Sequence, residues 1–118
     1  MAVSGNYLLY PAVTVNSDGT VAMAVSITGP LTFPSAAFTL RPSGATDFGN
    51  VQTAATGATT DNGFTCGGVL VPCRWGDYSA AVLEPAGGKD FWLATEYIPP
   101  VGAMFANWGT RVYEVQGS

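Results

Sequence analysis

The sequence predicts an all-β chain made of two antiparallel sheet units, about four strands in the first and three in the second. Three observations lead there. Helix signals are nearly absent, because no window sustains a 3.6-residue apolar period and charged residues, 10% of the chain, are too scarce to clothe helix surfaces. Fifteen glycines and eight prolines punctuate the chain every few residues, the rhythm of many short elements joined by turns. The pieces between those turns then recur in the same order.

The strands are expected at Tyr10 to Val15, Thr20 to Ile27, Ser35 to Arg41, Asn50 to Ala55, Tyr78 to Leu83, Asp90 to Tyr97 and Thr110 to Gln116. Asn16-Ser17-Asp18-Gly19, Thr28-Gly29-Pro30, Arg41-Pro42-Ser43-Gly44, Glu84-Pro85-Ala86-Gly87-Gly88 and Pro99-Pro100-Val101-Gly102 separate them. Each of these carries residues that supply a positive φ or fix φ near −65°, as tight turns require. The hairpin of Tyr10 to Val15 with Val21 to Ser26 is echoed by Asp77 to Val82 with Phe91 to Glu96, and each is followed by a third strand. Residues 1–63 form the first unit with its polar connecting loop. Residues 64–118 form the second, with a cysteine loop and a C-terminal strand.

Face patterning narrows the architecture. Thr20 to Ile27 is apolar or small at nearly every position, and Tyr78 to Leu83 reads alike. A sheet with one wet face would place a polar residue at every second position. Burial of both faces is therefore expected, as in the radially packed blades of a β-propeller, where each sheet is sandwiched between two others; a two-layer sandwich fits less well. Two blades do not close a ring, since propellers use about 4–8. The chain is thus expected to be a fragment of a larger propeller, or to assemble with other copies of itself, and the second unit has a vacant place for a fourth strand.

Composition limits partners and compartment. Four basic and eight acidic side chains give a net charge of −4, which argues against nucleic acid. No run approaches the roughly 20 apolar residues of a membrane span. Met1 to Tyr10 carries no basic residue and no long apolar core, so it is not a secretory signal. Cys66 and Cys73 lie in a Gly/Pro-rich loop with no histidine anywhere in the chain, which leaves a metal centre short of ligands and a catalytic thiol without its base. They read as a loop-closing disulfide of an oxidising compartment, or as two buried free thiols. The disulfide reading implies an extracellular or periplasmic protein whose signal peptide is absent from this chain. No cofactor is expected.

Cys73-Arg74-Trp75-Gly76-Asp77-Tyr78-Ser79-Ala80, Phe91-Trp92-Leu93-Ala94-Thr95-Glu96-Tyr97-Ile98 and Asn107-Trp108-Gly109-Thr110-Arg111 resemble the end of secreted bacterial β-propeller proteins of the sialidase-like or BNR-repeat-like kind. Tyr10-Pro11-Ala12-Val13, Gly29-Pro30 and Phe33-Pro34-Ser35-Ala36-Ala37 resemble the preceding blade, so the likeness runs from about Asn6 to Val115. It implies a propeller fold and an exported, sialidase-like setting. The family's Asp-box, Ser-x-Asp-x-Gly-x-x-Trp, is not matched: Ser17-Asp18-Gly19-Thr20 lacks the spacer and the tryptophan, and reads as a hairpin turn.

Without histidine, Ser-His-Asp and Cys-His chemistry within the chain is excluded. Carboxylate chemistry remains, and Asp77 with Glu96 is the best acid pair, one at the start of a strand and the other at the end of its hairpin partner. The plainer alternative is an ion pair of either acid with Arg74 or Arg111. Trp75, Trp92 and Trp108 with Tyr78 and Tyr97 form a candidate carbohydrate-stacking platform, or else wedges between sheets. The candidate binding residues are Arg74, Trp75, Tyr78, Tyr97, Trp108 and Arg111. The leading expectation is a structural or binding module, the terminal part of an exported propeller recognising glycan or protein surfaces. The alternative is part of a sialidase-like glycoside hydrolase completed by further blades, and this chain alone is not expected to hold a whole active site.

Overall fold

The computed structural model describes residues 2–62, 75–100 and 108–117. Among them are seven strands and no helix: β1 (Tyr7–Val15), β2 (Val21–Gly29), β3 (Thr32–Arg41), β4 (Gln52–Ala55), β5 (Ala80–Leu83), β6 (Phe91–Tyr97) and β7 (Gly109–Val115). They form two antiparallel sheets, a four-stranded one in the order β1-β2-β3-β4 (sheet A) and a three-stranded one in the order β5-β6-β7 (sheet B). The predicted strands all appear, in a four-plus-three division. Cys66, Cys73 and Arg74 lie outside the described residues.

Local chemistry sets the ends. In the β1–β2 turn the Asn16 side-chain carbonyl accepts from the Asp18 and Thr20 amides, at 3.1 and 2.9 Å, and Gly19 takes φ +85°. This is the Asx-type turn chemistry that Asn-x-Asp-Gly favours. The same Asn16 side chain donates to the carbonyls of Lys89, at 2.8 Å, and Gly117, at 3.4 Å, tying the first hairpin turn to the second. A Lys89–Asp18 ion pair at 3.2 Å spans the same gap, but both partners are exposed, and such pairs contribute little. At the opposite end the Ile98 amide donates to Pro34 and the Ala58 amide donates to Ile98.

The two sheets stack face to face on a shared core. Ala22 and Ala24 of β2 meet Phe91 and Leu93 of β6 and Val115 of β7, with Ala12, Phe38, Leu40, Ala81, Leu83 and Tyr113 packed around them. At the centre of this core the alanines of sheet A receive the larger Phe91 and Leu93 side chains of sheet B. A second cluster, Val25, Ile27 and Ala37, lies on the other face of sheet A, beneath Val3, Leu8, Met23 and Val51. Strand β2 is therefore buried on both faces, as its composition predicts.

Strand β5 is not. Its burial alternates, with Val82 55% exposed, and it starts at Ala80 rather than Tyr78. The small, apolar pattern shared with β2 did not distinguish the two, because burial of a strand's second face depends on what lies across from it. For β2 that is the segment around Val3 and Val51; the outward face of sheet B is bare at Val82, Trp92 and Val112.

The register reveals how the sheets are related. Val15 pairs with Val21 next to the first hairpin turn, and Leu83 pairs with Phe91 next to the second. Val21 thus corresponds to Phe91, and Ala22 to Trp92. Yet Ala22 points into the shared core, whereas Trp92 points away from it. The sheets are stacked front to back, the front of A on the back of B, in matching strand order. A two-fold sandwich would bring corresponding faces together instead.

Candidate functional site

The sequence-predicted residues converge partly, around the start of β5 and the end of β6. Because β5 begins only at Ala80, Trp75 to Ser79 run as an irregular segment across the sheet end. Gly76 anchors it. Its amide donates to Glu96 Oε2 at 2.8 Å, its φ is +76°, and a Cβ there would stand 2.9 Å from the Tyr10 ring. Tyr10 sits at a bulge in β1, where the register shifts between Leu9 and Ala12, and it too has a positive φ of 52°. A non-glycine residue in that region is strained and held by its surroundings. The Trp-Gly-Asp-Tyr-Ser run therefore acts as a clasp between the two sheets, with glycine the residue that admits both the backbone turn and the ring.

Glu96 lines an open cleft of about 230 Å³ together with Tyr78, Ser79, Ala80, Ala94 and Thr110. Asp77 is exposed and is not among these residues. One carboxylate, already holding a backbone amide, faces the cleft. Among the described residues neither Asp77 nor Glu96 forms an ion pair with Arg111, which is exposed on β7. Among the described residues three polar atoms near this end, Ser26 Oγ, Trp75 Nε1 and Ser79 Oγ, are buried without a hydrogen-bond partner.

The aromatic residues are spread rather than gathered. Tyr78 is 82% exposed, Trp92 points out from sheet B, and Tyr97, on the opposite face of the same strand, stands beside Gly109. Trp108 is half-exposed at the start of β7. Among the described residues the one close ring pair is Phe38 with Tyr113, between the sheets, at 5.7 Å and 46°.

Two features escaped the sequence reading. Tyr113 reaches from β7 into sheet A, where its hydroxyl donates to the Ala37 carbonyl at 3.1 Å and lies 2.9 Å from Thr95 Oγ1. Its single proton goes to the carbonyl, so Thr95 donates to Tyr113. Burial raises the Tyr113 pKa above its ordinary value of about 10, and the Thr95 hydrogen bond offsets part of that rise. The second feature is the outward face of sheet B, where Val82, Trp92 and Val112 form an exposed apolar surface with Glu114 beside Trp92. Tyrosines in strands and alternating apolar positions are too common in sheets to have singled out either one.

Among the described residues no three His, Cys, Asp or Glu side chains cluster as metal ligands, and no helix is long and apolar enough to cross a membrane. No family model matches the sequence, and neither a curated protein nor a solved structure does.

Proposed function

We propose that the chain is a structural and binding module, the closing blades of an exported, sialidase-like β-propeller, and that it acts by presenting sheet faces to other protein surfaces. The observation that carries this reading is the front-to-back stacking of sheets A and B in matching strand order. Such stacking repeats by rotation or translation, as in propellers and other repeat arrays, and in two sheets alone it leaves an unused front on the second. The bare face at Val82, Trp92 and Val112 is that front. On this reading the open edge of β7 receives a fourth strand from the parent protein, giving sheet B the strand count of sheet A.

The dispersed aromatics favour protein over glycan as the ligand, since a sugar platform needs rings gathered around one concavity. Glu96 is engaged by the Gly76 amide, and Asp77 lies outside the cleft; both support a clasp in preference to a two-carboxylate hydrolase.

Two full chains joined in tandem by a flexible linker test the reading, because stacked units stabilise their neighbours. The tandem is expected to unfold at a urea midpoint about 0.5 M or more above the single chain. Equal midpoints would contradict it.

A further inference from the structure

We propose that the outward face of sheet B docks an extended, basic segment of a partner protein, in which two arginine or lysine side chains flank an apolar one. The inference deepens the reading of the chain as a protein-binding module and rests on it.

Strand alternation and register lay this face out in three rows. Val82, Trp92 and Glu114 form the first, Ala80, Ala94 and Val112 the second, and Glu96 with Thr110 the third. The cleft of about 230 Å³ at Glu96 belongs to the same face, since Ala80, Ala94 and Thr110 line it too. One continuous surface therefore runs from the Trp92 indole, over an alanine floor, to the Glu96 carboxylate. Its middle is apolar and its two ends are acidic.

The charge on these rows has one sign. Glu114 is exposed beside Trp92. Glu96 lines the cleft with Oε2 held by the Gly76 amide, and among the described residues no group donates to its Oε1. No described basic side chain answers either acid. Lys89 is paired with Asp18 beside sheet A, Arg41 is on β3, and Arg111 alternates to the other face of β7. Such a face repels nucleic acid and anionic lipid, and a second copy, also at net charge −4, is disfavoured in the same way. A simple cation would leave Val82, Trp92 and Val112 bare. A basic segment with an apolar centre satisfies both the charge and the apolar surface.

Spacing fixes the pattern of that segment. The Glu96 row and the Trp92–Glu114 row are four residues apart on β6, about 13 Å at about 3.3 Å per residue. An extended segment laid along β6 repeats this distance between its residues i and i+4, and turns residue i+2 to the same side. Residue i seats its methylenes in the cleft between Ala80 and Ala94 and its charge at Glu96. Residue i+2 covers Val112. Residue i+4 lies over the Trp92 indole and reaches Glu114, joining a cation–π contact to an ion pair.

A titration of the full chain with the capped peptide Val-Thr-Arg-Thr-Val-Thr-Arg-Thr-Val, up to about 5 mM and followed by nitrogen–proton NMR, tests the proposal. Saturable shifts are expected at the Trp92 indole and the Ala94 amide. Glu96→Gln, which keeps an acceptor for the Gly76 amide, and Glu114→Gln are each expected to weaken binding about threefold or more. Asp47→Asn, the same loss of charge on an exposed residue outside this face, is expected to leave it unchanged. Circular dichroism of each variant establishes that it is folded. The peptide Val-Thr-Thr-Arg-Val-Thr-Arg-Thr-Val has the same composition with its arginines on opposite sides, and is expected to bind more weakly. No saturable shift at Trp92, equal loss in Asp47→Asn, or equal binding of the second peptide overturns the proposal. Self-association of the chain that Trp92→Lys abolishes, with no uptake of peptide, also overturns it and assigns the face to a second copy. Any of these results alongside a stabilised tandem removes the basic segment and leaves the stacked-module reading standing.

Discussion

Tyr113 is the residue whose chemistry is most tightly bound to the stacking of the two sheets. It carries a hydroxyl from sheet B to a backbone carbonyl of sheet A, and its proton arrangement is fixed by Thr95 behind it. Tyr113→Phe leaves the Ala37 carbonyl and the Thr95 hydroxyl short of a partner inside the core, and should cost about 1–3 kcal/mol in urea unfolding. The pH dependence follows in sign from the raised pKa. Below about 10 both folded and unfolded tyrosine are protonated, and the contribution of the neutral hydroxyl is fully present. As pH rises above that value the unfolded chain loses its proton first, so stability declines until the folded-state pKa is passed. The phenylalanine variant should lack this component of the alkaline decline; an identical decline in both proteins would exclude Tyr113 as its source. Nothing in the sequence around Tyr113 distinguishes it from Tyr97 or Tyr7, because the feature that matters is the carbonyl opposite, which belongs to another sheet.

At the scale of elements, the strands and turns were largely legible and their environments less so. Gly/Pro/Asn punctuation located every described strand to within a few residues, since turn chemistry is local. The start of β1 was missed because Tyr10-Pro11 reads as a boundary, whereas the chain bulges there and continues in the sheet from Tyr7. The clasp at Gly76 is the counterpart of that bulge. Gly76→Ala should cost about 1–3 kcal/mol, since alanine must enter the left-handed region and push its Cβ against the Tyr10 ring. Combining it with Tyr10→Ala removes the steric part, so the double variant should lose less than the sum of the singles. Strict additivity in thermal unfolding would show that the ring and the glycine do not meet. The acid pair Asp77 and Glu96 illustrates the same limit: the hairpin placed them at one end of sheet B, but the irregular run before Ala80 put Gly76, not Asp77, on the Glu96 carboxylate.

The whole molecule is a plate, 47 × 31 × 20 Å, whose shortest dimension is that of two stacked sheets about 10 Å apart with their side chains. The apolar patterning of the strands foretold burial of both faces, and the plate leaves part of that demand unmet at Val82, Trp92 and Val112. The module reading and the bare face of sheet B both descend from one geometric relation, that sheet B lies on sheet A front to back. Nuclear Overhauser contacts in the full chain, at low concentration to keep copies apart, measure it directly. The methyls of Ala22 and Ala24 should show contacts to the rings and methyls of Phe91 and Leu93 and none to the Trp92 indole. Contacts from Trp92 to Ala22, with Phe91 facing outward, would contradict it.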